Sequence, residues 1–170
     1  TETIRQELEE LKRVVARAAA QLVHDGDAII LDGGSTLTLM AAELRQRSNL
    51  TVITNSVSVL DALADAPGVR VLATGGVYQH RTRCFVGPTA EAAFAGLRAD
   101  RAFISTSGVS VHFGLSAISH EEAAVKRAMM RAAKEVVLVA DHSKVGEELL
   151  VQVAPLTAVS NATRNTFAAS

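Results

Sequence analysis

The run Asp32-Gly33-Gly34-Ser35-Thr36 has the composition of an anion-binding turn. Two glycines allow a tight turn, and the free N–H groups at the start of a following helix attract negative charge. The hydroxyls of Ser35 and Thr36 can donate further hydrogen bonds. The run has neither Walker A nor dinucleotide-binding spacing, so it predicts a phosphate-sized site of another kind. A plain turn, with Ser35 capping the helix, is the alternative.

Charged side chains provide a second set of candidates, beginning with Asp141-His142-Ser143-Lys144. Lys144 can reach a phosphate as a point charge, and Asp141 can accept hydrogen bonds from sugar hydroxyls. The alternative is a strand-end cap for Asp141 and a solvated surface position for Lys144. Lys126 follows Glu122 by one helical turn, so spacing alone favours a surface ion pair between them.

Patterns for other chemistry are missing from the sequence. The five histidines are scattered and show no zinc-binding spacing, so no metal site is predicted. Ser35 and Ser107 lack the Gly-x-Ser-x-Gly elbow of hydrolases, and Cys84 has no neighbouring histidine. The sequence therefore predicts no catalytic residue and no cofactor.

The elements that must position these side chains alternate along the chain. Short apolar runs at 28–31, 50–54, 69–73, 101–105 and 136–140 indicate strands, and patterns at 35–46, 56–65, 89–96 and 120–134 indicate helices. This alternation predicts an α/β fold with an open, mostly parallel sheet flanked by helices. A first helix at 2–24, an irregular stretch at 75–88, a loop at 106–118 and a short sixth strand near 157–159 complete the prediction.

Ligands of open α/β sheets bind beyond the carboxyl ends of the strands. The residues that follow the predicted strands are mostly small or carry hydroxyl groups, which lets a polar ligand approach the backbone. Besides the two runs described above, this rule selects Thr54, Asn55, Gly75, Gly76 and Gly108.

The composition restricts the class of protein. The chain has 170 residues, a formal net charge of −1 and one cysteine, which fits a single cytoplasmic domain without disulfides. No apolar run is long enough to span a membrane. The balanced charge argues against a broad DNA-binding face, which needs clustered lysine and arginine.

From about Lys12 to Leu156, the chain resembles the C-terminal effector domain of DeoR-type transcriptional regulators. The motifs that carry the resemblance, in order, are Asp25-Gly26-Asp27, Asp32–Thr36, Val52–Ser56, Gly75-Gly76, Val86-Gly87, Asp100–Phe103, Gly108, Gly114-Leu115, Lys126–Met129 and Ala140–Lys144. The resemblance implies a fold like that of ribose-5-phosphate isomerase and the binding of a phosphorylated sugar or a similar metabolite.

The resemblance raises Lys126 from a surface pair to a ligand contact. Taken with the strand-end rule, it yields one set of candidate ligand-binding residues: Asp32, Gly34, Ser35, Thr36, Thr54, Asn55, Gly75, Gly76, Gly108, Lys126, Asp141 and Lys144. Arg81, Arg83 and His112 are candidates for reading the stereochemistry of the sugar.

The expected organisation has three parts. Residues 1–24 form a helix linking to an N-terminal DNA-binding domain absent from this chain, 25–160 form the effector-binding domain, and 161–170 form a flexible tail. DNA would be bound only through the absent domain. The resemblance also implies a homo-oligomer. The apolar face of the first helix (Ile4, Leu8, Leu11, Val15) either contacts a partner subunit or packs on the sheet.

Two other functions remain open at this stage. A sugar-phosphate isomerase needs a positioned base, but the loop Ser105–Ser110 contains neither the carboxylate nor the lysine that isomerases of this fold carry there. Glu121 or Asp141 could substitute for it. The third possibility is an oligomerisation module whose cleft binds nothing.

Overall fold

A computed structural model describes residues 1–160 of the chain. Its strands are β1 (Ala28–Leu31), β2 (Leu50–Thr54), β3 (Val69–Ala73), β4 (Val77–Gln79), β5 (Cys84–Val86), β6 (Ala99–Ile104), β7 (Gly108–Ser110), β8 (Gly114–Ala117), β9 (Ala133–Leu138) and β10 (Val151–Ala154). Its helices are α1 (Glu2–Ala20), α2 (Ser35–Glu43), α3 (Val57–Leu63), α4 (Pro88–Ala92) and α5 (His120–Arg131).

The central sheet has the strand order β3-β2-β1-β6-β9, and all its pairings are parallel. Strands that are buried on both faces read as continuous apolar runs, and the run at 28–31 is of this kind. The predicted α/β class with an open parallel sheet is therefore confirmed. After β1 the chain adds β2 and β3 on one side of it and later adds β6 and β9 on the other side. The direction of strand addition therefore reverses between β1 and β6.

Helices cover both faces of this sheet. On one face, Leu31 and Phe103 pack with Val15 of α1 and Leu37 of α2. On the other face, Ile30 and Ile104 pack with residues of α4 and α5, including Met129. Because alternate residues of each strand enter opposite layers, the central strands are apolar at successive positions.

Two segments predicted as irregular contain short strands. Within 75–88, β4 and β5 form an antiparallel hairpin, and within 106–118, β7 and β8 form a second one. β10 extends the second hairpin into a three-stranded antiparallel sheet. Strands of three or four residues carry too little alternation to be recognised in the sequence, and β7 and β8 are also rich in glycine and serine.

The prediction of a sixth strand near 157–159 is wrong. A 3₁₀ helix occupies Leu156–Ala158, and the strand lies earlier, at Val151–Ala154. Val151 and Val153 are buried while Gln152 is exposed, which is the alternation of a half-buried strand. The proposed flexible tail at 161–170 lies outside the described residues.

Several helix ends differ from the sequence-based boundaries. α1 ends at Ala20, with Gln21 as its C-cap, instead of continuing to residue 24. At the start of α5, the N–H of Glu122 donates to Oγ of Ser119 over 3.2 Å, which is half of a capping box.

Among residues 1–160, no helix is both long and apolar enough to cross a bilayer.

Candidate functional site

A cavity of about 660 Å³ opens at the carboxyl ends of the central strands. Its floor includes Asp32 after β1, Asn55 after β2 and Ser105 after β6. β1 and β6 are the neighbours between which the strand order reverses, where open α/β sheets bind ligands. The volume lies in the range of small-molecule sites.

The turn between β1 and α2 presents backbone donors to this cavity. Gly34 is the N-cap of α2 with φ of 112°, a left-handed conformation that favours glycine, and no side chain caps the helix. Within residues 1–160, nothing accepts from the backbone N–H groups of Ser35, Thr36 and Leu37, the first three residues of α2. Ser35 is exposed and is not the cap, so the capping role suggested for it is wrong.

Asp32 is the centre of a buried polar network. Its Oδ1 accepts from the N–H of Gly33 over 2.8 Å. Its Oδ2 accepts from the N–H and the hydroxyl of Ser105 over 3.0 and 3.1 Å. Lys126 Nζ lies 2.5 Å from the same Oδ2 and also donates to the carbonyl of Ser105 over 2.9 Å. A buried ion pair needs such supporting hydrogen bonds because both charges lose their hydration.

This network corrects one sequence-based pairing. Lys126 pairs with Asp32, and Glu122 pairs with Arg81 from the turn of the β4–β5 hairpin. The predicted Glu122–Lys126 surface pair is therefore wrong. The α5 helix turns both side chains toward the cavity, where partners from distant segments are available.

Asn55 brings an amide group into the cavity wall. Its Nδ2 donates to the carbonyl of Phe85 over 2.8 Å, and the N–H of Phe85 donates to the Asn55 carbonyl over 2.8 Å. These two bonds attach the β4–β5 hairpin to the end of β2. The side chain is 4% exposed, and its Oδ1 is buried without a hydrogen-bond partner among the described residues. A buried acceptor of this kind is available to a ligand donor.

Cys84 lies against the Gly33-Gly34 turn. A Cβ placed on Gly33 would come within 2.3 Å of Cys84 Sγ, so this packing requires glycine. Burial, and secondly the charge of Asp32, raise the pKa of the Cys84 thiol to about 11. The thiol therefore stays protonated near neutral pH, which does not favour a nucleophilic role.

The segment after β9 contributes the remaining predicted charges. Asp141 caps the 3₁₀ helix His142–Lys144, and its Oδ1 accepts from the N–H of Ser143 over 2.9 Å. Both Asp141 and Lys144 also line the cavity. Asp141 therefore caps this short helix, as the alternative interpretation of the sequence expected, and it also lines the cavity.

The cavity brings together most of the predicted site residues. Those that line it are Asp32, Gly34, Ser35, Thr36, Asn55, Lys126, Asp141 and Lys144. Thr54, Gly75, Gly76 and Gly108 are not among the lining residues. The Thr54 hydroxyl is engaged internally, donating to the carbonyl of Leu31 over 2.7 Å and accepting from the N–H of Ser56 over 3.0 Å.

Two of the three glycines outside the lining, Gly76 and Gly108, lie close to other backbone segments, whereas a Cβ on Gly75 would meet no atom within 4 Å. A Cβ on Gly108 would approach the carbonyl oxygen of Glu147 to 2.5 Å, and a Cβ on Gly76 would approach that of Val86 to 2.9 Å. Both positions therefore serve close backbone packing. Of the residues suggested for reading stereochemistry, Arg81 and Arg83 line the cavity and His112 does not.

The sequence-based reasoning missed several residues of the cavity wall. Glu9 and Lys12 of α1 line it, although the sequence assigned this helix only to linking or packing. Ser105 was assigned to a strand, and its hydroxyl joins the Asp32 network. Within residues 1–160, no group of three or more His, Cys, Asp or Glu side chains is arranged to hold a metal ion.

Comparisons with known proteins find similar transcriptional regulators. The chain is 36% identical over 150 residues to the HTH-type transcriptional repressor GlcR of Bacillus subtilis, covering 88% of this chain and 57% of GlcR. It is 34% identical over 145 residues to the HTH-type transcriptional regulator GlpR of Haloferax volcanii, covering 85% of this chain and 56% of GlpR. The chain thus spans little more than half the length of these curated relatives.

Structural similarity extends to an enzyme family. The ribose 5-phosphate isomerase A of Methanocaldococcus jannaschii superposes with a TM-score of 0.59 and 23% identity, covering 83% of this chain and 56% of the enzyme. This likeness concerns the fold and confirms the predicted architecture. The family profile of the DeoR C-terminal sensor domain matches residues 7–163. The chain therefore belongs to the DeoR C-terminal sensor domain family.

Proposed function

We propose that the cavity binds a phosphorylated sugar or a related anionic metabolite and that this binding is the sensing step of a transcriptional regulator. The phosphate docks on the free N–H groups at the start of α2, beside Ser35 and Thr36. The sugar hydroxyls meet Asn55 and Asp141 on either side. The geometry of the cavity and the family membership of the chain support these roles.

The observation that carries the proposal is the combination of unused donors and an unused acceptor in one cavity. The uncapped start of α2 attracts an anion, because its N–H groups and helix dipole both favour negative charge. Among residues 1–160, the buried Oδ1 of Asn55 has no hydrogen-bond partner, which leaves it available to a donor on a ligand. A sugar phosphate satisfies both needs with one molecule.

The polar network supports binding over catalysis. Isomerisation of a sugar requires a carboxylate free to take a proton from carbon. Asp32 is already engaged by Gly33, Ser105 and Lys126. Of the two carboxylates raised as substitute bases, Glu121 does not line the cavity, and Asp141 accepts from the N–H of Ser143. The isomerase alternative rests on similarity of fold, and a fold alone does not determine chemistry.

In the complete regulator, we propose that residues 1–24 link this domain to an N-terminal DNA-binding domain that acts in the cytoplasm. Ligand binding changes DNA affinity only if the ligand distinguishes two conformations of the regulator. Glu9 and Lys12 place α1 in the cavity wall, so the occupant of the cavity contacts the helix that precedes the domain.

We also propose a homo-oligomer that forms through Ile4 and Leu8, which are 55% and 47% exposed.

Thermal unfolding against a panel of pentose and hexose phosphates tests the binding function. A ligand present at about 100 times its Kd stabilises the folded state by about 2.7 kcal/mol, a shift of roughly 5–10 °C in a domain of this size. Ser35→Asp is expected to abolish the shift, because it places a carboxylate where the phosphate docks. The unliganded variant should keep its Tm, since a carboxylate is favourable at a helix N-terminus.

Thr89→Asp is the matched control, because Thr89 is an exposed hydroxyl residue at the start of α4 and does not line the cavity. It is expected to leave ligand binding unchanged. The absence of a shift with every phosphorylated compound would contradict the proposal and favour the cleft that binds nothing. Turnover of a sugar phosphate by the wild-type chain would favour the isomerase.

A further inference from the structure

The charges that line the cavity are not evenly paired. Its basic residues are Lys12, Arg81, Arg83, Lys126 and Lys144, and its acidic residues are Glu9, Asp32, Glu122 and Asp141. Three of the basic side chains have an acidic partner: Lys12 pairs with Glu9, Arg81 with Glu122 and Lys126 with Asp32. These three are neutralised within the protein.

Arg83 and Lys144 differ from the other basic residues. Among the described residues, neither side chain makes an ion pair or a hydrogen bond. Both line the cavity; Lys144 is half-buried, whereas Arg83 is exposed at its rim. A cation that faces a partly enclosed cavity without a partner attracts an anionic ligand more strongly than one in open solvent.

The fold separates these two cations. Arg83 immediately precedes Cys84, whose sulfur packs against Gly33, so Arg83 lies beside the anion-binding turn after β1. Lys144 follows β9, and β6 lies between β1 and β9 in the sheet. Two strand spacings amount to about 10 Å, so the segments that carry the two cations leave the sheet at strand ends about that far apart.

Arg83 also has an unusual backbone. Its φ of 56° is in the left-handed region, where a residue with a side chain is less stable than glycine. Asn49, with φ of 54°, is the other non-glycine residue of the described chain with positive φ, and it does not line the cavity. An unfavourable conformation at a cavity wall is a recurrent property of functional positions.

We infer that the cavity holds two anionic groups of one ligand. The first lies at the start of α2 with Arg83, and the second lies at Lys144, while the unpartnered Oδ1 of Asn55 accepts from a hydroxyl group of the same ligand. The ligand class is a sugar that carries two anionic groups, such as a bisphosphate or a phosphorylated sugar acid. This inference rests on the proposed function and specifies the ligand class of the same site.

Inorganic phosphate tests the two positions without any dependence on sugar stereochemistry. In two-dimensional amide NMR spectra at low ionic strength, phosphate is expected to shift two sets of signals, at residues 33–37 and at residues 141–145, and both should saturate. Arg83→Gly should weaken binding at the first set about tenfold or more, and Lys144→Met should do so at the second. Each variant should leave the other set unchanged.

Two matched variants control for effects on the fold. Asn49→Gly removes a left-handed side chain outside the cavity, and Lys134→Met removes an exposed lysine outside it. Both should retain both phosphate positions. Because Arg83→Gly places glycine at a left-handed residue, its Tm should not fall below that of the wild type, which separates loss of binding from loss of folding.

Competition completes the test. A flexible diol bisphosphate should displace phosphate at a concentration about tenfold or more below that of the matching monophosphate, because one molecule fills both positions. A single saturating set of signals, or equal competition by the two compounds, would overturn the inference while leaving a monophosphate sensor intact. Failure of phosphate and of the whole sugar-phosphate panel to bind would overturn the proposed function as well.

Discussion

At the scale of single residues, Asp32 organises the floor of the cavity. Its carboxylate holds the Gly33 turn, the end of β6 at Ser105 and the ammonium group of Lys126. The Asp32 and Lys126 side chains are 5% and 12% exposed, so both charges are largely removed from water. Breaking such a pair by removing one partner leaves the other charge buried without compensation.

We therefore predict that Lys126→Met lowers the free energy of unfolding by about 3 kcal/mol. The double variant Asp32→Asn/Lys126→Met should recover more than half of this loss, because it removes both charges together. Urea unfolding of the wild type, the two single variants and the double variant measures the coupling. Additive losses in the double variant would contradict the role of the pair.

At the scale of elements, the two short hairpins have different roles. The β4–β5 hairpin brings Arg81, Arg83 and Cys84 to the cavity. The β7–β8 hairpin pairs with β10 and encloses a separate small core around Leu115. Gly114 permits the approach of β8 to β10, since a Cβ there would lie 2.2 Å from the carbonyl oxygen of Ala154.

Two alanine substitutions separate backbone conformation from steric contact. Gly114 and Gly146 both have left-handed backbones, with φ of 70° and 85°, but a Cβ on Gly146 would meet no atom within 4 Å. Gly146→Ala should destabilise the domain by about 1 kcal/mol through conformation alone. Gly114→Ala should lose about 2 kcal/mol more through overlap with the β10 backbone.

Urea unfolding of these two variants is the measurement. Equal losses for Gly114→Ala and Gly146→Ala would show that β10 moves aside easily. In that case the three-stranded sheet would not depend on the close approach at Gly114.

At the scale of the whole molecule, α1 has two parts with different surroundings. Val15 is fully buried in the core beneath the sheet, whereas Ile4 and Leu8 are exposed on the same apolar face. The sequence left open whether this apolar face packs on the sheet or contacts a partner subunit. The second half of the helix packs in the core, and for the exposed first half the contact with a partner stays a prediction. The exposed half is the surface through which we propose self-association.

We predict that the wild-type chain self-associates and that Leu8→Glu shifts it to the monomer, because the charge disrupts an apolar contact between helices. Leu150→Glu is the matched control, since Leu150 is 83% exposed and lies in the segment before β10. Analytical ultracentrifugation over a range of concentrations measures both variants. A monomeric wild type, or equal effects of the two substitutions, would contradict this role of α1.

Most of the architecture could be predicted from the sequence because local patterns carry it. Parallel strands that are buried on both faces appear in the sequence as continuous apolar runs. The Gly33-Gly34 pair between such a run and a helical pattern predicts a tight turn that leaves backbone N–H groups free. The positions of Ser35, Thr36, Asn55 and Lys144 at strand ends follow from the same alternation. The cavity lining bears out these positions, and their ligand contacts stay predictions.

The tertiary structure alone decided which charges meet. Lys126 and Asp32 are 94 positions apart and Arg81 and Glu122 are 41 apart, so no local spacing indicates either pair. Local spacing instead suggested Glu122 with Lys126, because it contains no information about the hairpin and the strand end that α5 faces. The partners of a buried charge are set by the path of the whole chain, since desolvation selects whichever opposite charge the fold brings within reach.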